Sequence, residues 1–122
     1  MRGAATALLM LFRLAWVILL VLGLAFWWGR ALRFVPVHML VGVVVVLLLW
    51  ALAALAAAAH VRSRSIPLAA LWGVFVLVLG LTQTRLMTGG AHWVIRVLHL
   101  LVGVVAILLA ERLAAKIKRA RA

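Results

Sequence analysis

Four apolar runs, each long enough to cross a bilayer as a helix, fill this chain almost end to end, with short polar joints between them. A spanning helix needs about 20 predominantly apolar residues. The pattern predicts spans at about 4–28, 34–59, 66–87 and 92–110, then a basic tail over 111–122 that continues as a helix along the surface. Of the 122 residues 70% are hydrophobic, against roughly half in a soluble domain. So small a globule cannot bury that excess. The expected fold is all-α: one integral membrane domain, a four-helix bundle over residues 1–122. Joints this short make neighbouring helices antiparallel, which gives an up-down-up-down order with both termini on one side.

Local signals sharpen the boundaries. A secretory h-region is only about 7–15 residues long and ends in small residues. The first run is longer and closes on Phe26-Trp27-Trp28, an aromatic interface anchor, so it reads as a retained helix. Arg13 lies inside it. Pro36 and Pro67 fall in the first turns of the second and third runs, where a missing N–H costs little, and Ser65 reads as a cap. Thr88-Gly89-Gly90 breaks the chain before the fourth run.

The net charge of +12 gathers at the ends of the spans, which makes it a topology signal rather than a nucleic-acid footprint. One side carries Arg2, Arg62, Arg64, Arg112, Lys116, Lys118, Arg119 and Arg121; the other carries Arg30, Arg33, Arg85 and Arg96. Eight against four places both termini in the cytoplasm, most simply that of a prokaryote. Four cations outside are more than topology alone requires.

Composition also removes whole classes of chemistry. There is no cysteine, which excludes disulfides, thiolate metal sites and the thioether attachment of c-type haem. Glu111 is the sole acidic residue, which excludes paired-carboxylate catalysis and carboxylate metal cages. Glu111 falls at the inner end of span four beside Arg112 and reads as an interfacial ion pair. A small transporter needs a charge-coupling group within the membrane, and Glu111 is the one candidate acid.

One repeat stands out. Laid over each other, His38-Met39-Leu40-Val41-Gly42-Val43-Val44 and His99-Leu100-Leu101-Val102-Gly103-Val104-Val105 agree at six of seven positions. Leu and Val matches carry little weight in so apolar a chain. The His and Gly matches carry more, because the chain has four His and nine Gly. Spans two and four run parallel in the expected topology, so the histidines fall at similar depth near the extracytoplasmic side. An ionisable residue inside a bilayer is costly and marks a functional site by default. Two histidines at one level suit an axially ligated haem, with an imidazole on each face of the ring. Gly42 and Gly103 follow their histidines by one helical turn on the same face, and Gly23 and Gly80 count to a similar depth on spans one and three. Four glycines in one layer leave room for a flat ring. Arg33, Arg96 and Arg85, with His92, supply cations for its two propionates; His92 is also an alternative ligand to His99. His60 reads as an interfacial residue, and Trp16, Trp50 and Trp72 as packing residues.

This layout resembles the four-helix membrane b-type cytochromes, including the cytochrome b of respiratory bc complexes. The matching residues are His38, His99, Gly42, Gly103, Gly23 and Gly80. The resemblance implies one haem b per chain, His38 and His99 as iron ligands, and one-electron transfer, with a quinone or an extracytoplasmic redox protein as partner. A second histidine pair, present in that family, is missing here. Gln83, Thr84 and Arg85 read either as a quinone-pocket wall or as a plain polar helix end. Two other functions compete: a non-catalytic assembly subunit of a larger membrane complex or homo-oligomer, and a small transporter.

Overall fold

The computed structural model describes residues 1–87 and 89–120. Thr88, expected to open the break before the fourth run, and Arg121, counted among the cytoplasmic charges, lie outside the described residues. The architecture is all-helical. Helix α1 spans Arg2–Trp27, α2 Val35–Ala58, α3 Ser65–Thr82 and α4 His92–Ala120, with single 3₁₀ turns at Leu32–Phe34, Gln83–Arg85 and Gly89–Ala91. Each of the four helices, taken with its adjoining turn, is long and apolar enough to cross a membrane.

Helices α1 and α2 end in the same way. Gly29 N–H donates to the Phe26 carbonyl and Arg30 N–H to the Ala25 carbonyl, both at 2.9 Å. At the end of α2, His60 N–H donates to Ala57 and Val61 N–H to Ala56, both at 3.0 Å. These are paired Schellman closures, which require a left-handed residue just past the helix. Gly29 takes that position at φ 66°, at no steric cost. His60 takes it at φ 56° despite its β-carbon.

Three local readings of the sequence are corrected. The third helix stops at Thr82 rather than running to about residue 87. The Thr82 hydroxyl donates back to the Val78 carbonyl at 2.6 Å, residues 83–85 tighten into a 3₁₀ turn, and Leu86 turns extended. The N-cap position of α3 is Arg64 rather than Ser65, which is the first helical residue and donates its N–H to the Ser63 hydroxyl at 3.1 Å. The basic tail is helical, but it does not lie on the surface as a separate segment. It continues α4 without a break, and Leu113, Ala114 and Ile117 extend the buried stripe of Leu109 and Ala110. Spacings of three and four keep these residues on one helix face.

The core explains why that stripe continues. Its largest fully buried side chains are Phe12, Leu49, Leu52, Leu113, Ile117 and Val46. Between them sit alanines at 5, 53, 56, 69, 110 and 114, whose small side chains let helix backbones approach closely. This core draws on the first half of α1, the second half of α2, the start of α3 and the second half of α4. The outward surface carries large apolar residues, including Leu14, Val21, Leu40, Leu71 and Leu108. Water penalises a surface of that kind, whereas contact with a lipid bilayer accommodates it.

Polar side chains tie the helices pairwise. The Trp16 indole N–H donates to the Gly103 carbonyl and that of Trp72 to the Val102 carbonyl, each at 2.9 Å. Trp50 does the same to Ala70 at 3.2 Å. Arg13 grips both carboxylate oxygens of Glu111, Nε to Oε1 at 2.6 Å and a terminal nitrogen to Oε2 at 2.8 Å. This corrects the expected pairing of Glu111 with its neighbour Arg112 and gives Arg13 a reason to sit within α1.

Candidate functional site

The halves of the helices that do not feed the packed core surround a cavity of about 400 Å³, within the range of small-molecule and cofactor pockets. All four helices contribute to its wall. From α2 comes His38 and from α4 His99, with ring centres 6.3 Å apart and planes inclined at 53°. His38 is further set by Phe26, which meets it edge-on with centres 5.3 Å apart. The Nδ1 atoms of both His38 and His99 are buried without a hydrogen-bond partner. Leaving a buried polar atom unpaired costs about 1–3 kcal/mol, so such atoms point to a role other than packing.

The glycines divide into two kinds. A β-carbon on Gly23 would lie 3.5 Å from His38 Cε1, and one on Gly80 would lie 3.6 Å from His99 Cε1. These two glycines form bays for the imidazole edges, one on α1 for the α2 histidine and one on α3 for the α4 histidine. Gly42 has nothing within 4 Å of where its β-carbon would point, while Gly103 faces the Trp16 indole nitrogen at 3.9 Å. All four glycines line the cavity. The helical repeat thus brings its two histidines together, with each ring leaning on a glycine of a helix outside the repeat.

Polar residues gather at one end of the cavity, where Gln83, Thr84, His92 and Arg96 join the wall. The His92 Nδ1 lies 3.2 Å from the Leu86 carbonyl oxygen. Two expected members of this cationic rim are not among the lining residues. Arg33 stacks its guanidinium over the neighbouring Phe34 ring, 4.9 Å from its centre. Arg85 ends the 3₁₀ turn with its side chain exposed. In each case an irregular segment, rather than a continued helix, sets the direction of the side chain. His99, not His92, is the ring opposite His38. Sequence reasoning missed Phe26 and the Trp16–Gly103 bond. Trp16, about two helical turns before Gly23, signals the second only once α1 is known to pack on α4.

The donor set can be tested against the groups it could hold. Among the described residues there is no cluster of three or more His, Cys, Asp or Glu able to hold a bare metal ion. Two imidazoles alone would suit a metal that brings its remaining ligands with it, as the iron of a macrocycle does. The ring centres stand 6.3 Å apart, room enough for such a metal between them. The apolar wall, the facing histidines and the single cationic rim fit a flat, largely apolar ligand with an acidic edge. In comparisons with known proteins, no family model, no curated protein and no solved structure matches this chain.

Proposed function

We propose that this chain is a membrane b-type cytochrome: an antiparallel up-down-up-down bundle in the cytoplasmic membrane, both termini inside, holding one haem b between His38 and His99 for one-electron transfer. The observation that carries this reading is the pair of imidazoles facing each other at 6.3 Å inside a cavity walled by all four helices. The buried, unpartnered Nδ1 atoms and the glycine bays support it. The orientation rests on the excess of Lys and Arg at the ends of α2 and α4 and at the start of α1.

When bound, haem supplies a one-electron couple between ferric and ferrous iron. The residues of the chain decide what that couple does. His38 and His99 would hold the iron, and with an imidazole from each of α2 and α4 committed to it the chemistry supplied would be electron transfer rather than oxygen binding. Phe26, Gly23 and Gly80 fix the bearing of the two rings. Arg96 and His92, at the polar end of the cavity, would meet an acidic edge of such a ligand, and the Arg96 charge would favour the reduced, less positive state. The apolar wall keeps water away and holds the reorganisation cost low. Gln83 and Thr84 give the rim a neutral polar face on which a quinone or an extracytoplasmic redox protein can dock. The transporter reading weakens, because Glu111 is held by two hydrogen bonds from Arg13 rather than standing free.

The test is an absorption spectrum of the detergent-purified protein, oxidised and then dithionite-reduced, with a pyridine haemochrome assay. The expected result is a low-spin spectrum and about one haem per chain, with colour lost in His38→Ala and in His99→Ala while helical content stays. A protein that remains colourless when haem is supplied during expression refutes the cytochrome reading and leaves the assembly subunit.

A further inference from the structure

At the ends of α2 and α4 away from the cavity, the loop between α2 and α3 meets the last turns of α4. The Lys116 ammonium donates to the Ser63 hydroxyl at 2.6 Å, and that hydroxyl also accepts the Ser65 N–H. One serine thus docks the loop against the helix. Arg62 and Arg64 flank it, both exposed. On α4, Arg112, Lys116 and Arg119 recur at intervals of four and three and share a face. Like charges at that spacing repel each other. Nothing in the described chain offsets them: Glu111 is its sole acidic side chain, and Arg13 holds both oxygens. Topology requires cations at this end but does not require a helix lysine to be fixed on a loop serine that two exposed arginines flank.

We propose that Arg62, Ser63, Arg64, Arg112 and Lys116 form a binding site for the phosphate group of an anionic phospholipid. Position favours a lipid over a soluble anion. The site lies where the apolar faces of α2, α3 and α4 give out, which is headgroup depth for a protein whose helices cross the bilayer. Basic segments at that depth attract anionic lipid, each Lys or Arg strengthening binding about fivefold. The phosphate lies across the loop and the helix, and its acyl chains run along the exposed apolar side of α3. This inference is independent of any ligand in the cavity.

Native mass spectrometry of the detergent-purified full chain, with added phosphatidylglycerol or phosphatidylcholine, tests it. The expected result is one tightly held phosphatidylglycerol, preferred at least tenfold over phosphatidylcholine. Arg62→Gln/Arg64→Gln/Lys116→Gln loses that preference, whereas Arg30→Gln/Arg33→Gln at the other end keeps it. Ser63→Ala retains every charge and removes only the docking hydroxyl; its preference falls about threefold, which tests placement even if the triple variant does not fold. The proposal is overturned by equal binding of the two lipids, by equal loss in the two charge variants, or by a Ser63→Ala protein that binds like wild type. It is also overturned if millimolar inorganic phosphate displaces the lipid, or if a polyglutamate peptide binds more tightly than phosphatidylglycerol.

Discussion

Gly73 gives the sharpest test of the packing described above. It is buried on α3 against the Trp50 indole of α2. A β-carbon at 73 would run into the indole nitrogen, with Cε2 at 2.8 Å and Cδ1 at 3.1 Å. The indole is rigid and cannot fold out of the way. It is also anchored by the bond from its N–H to the Ala70 carbonyl, at 3.2 Å. Gly73→Ala therefore forces the whole ring outward and breaks that bond. Overpacking of this kind costs about 1–3 kcal/mol. A hydrogen bond between membrane helices contributes about 0.6 kcal/mol on average. Alanine returns about 1 kcal/mol of helix propensity. The expected net loss is about 1–2 kcal/mol. With the indole removed, in a Trp50→Ala background, the same change should be neutral or stabilising by about 1 kcal/mol, because only the propensity term remains. Unfolding by sodium dodecyl sulfate in mixed micelles, followed by far-UV circular dichroism, measures both arms. A Gly73→Ala protein as stable as wild type, or an equal loss in both backgrounds, refutes the reasoning.

The same unfolding assay reads three further outcomes. Trp16→Phe and Trp72→Phe each remove one N–H donated to an α4 carbonyl and should cost about 0.6–1.7 kcal/mol, the range for bonds between membrane helices; no change in either would remove the indole bonds from the account. Glu111→Gln lowers the unfolding midpoint by leaving Arg13 without a carboxylate, and the exchange Arg13→Glu with Glu111→Arg restores most of it; two independent, additive losses would show that the residues do not act as a pair. His60→Gly should raise stability by about 0.5–1 kcal/mol, because glycine takes the left-handed position past α2 without a β-carbon penalty; a loss would show that the imidazole makes a compensating contact.

Much of this arrangement was written in local patterns. Helix count and rough boundaries followed from run length, since four apolar stretches have no other way to satisfy their backbone in lipid. The facing histidines followed from a repeat: one pattern on two helices places its members at matching levels once the helices run the same way. What stayed hidden depended on partners distant in sequence. Glu111 looked like the companion of Arg112, because adjacency is visible in a sequence and an α1–α4 contact across 98 positions is not. Gly23 and Gly80 were legible as small residues at the right depth, but each touches an imidazole edge, which only helix rotation decides. Gly73 gave no warning at all, since Trp50 read as a packing residue whose partner on a neighbouring helix the sequence does not name. Arg33 and Arg85 were misplaced because both sit in short irregular segments, where helical periodicity no longer predicts direction.

The division of labour along the helix axis has a consequence for how such a protein is made. The alanine-rich end joins all four helices with side chains that, apart from a few such as Val45, Ala106 and Trp16, take no part in lining the cavity. Insertion and folding can thus be completed at that end first. Under the proposed function the histidine end would then be a socket on a finished frame, haem would be fitted after the frame has set, and biogenesis would divide into two steps that a cell can schedule independently.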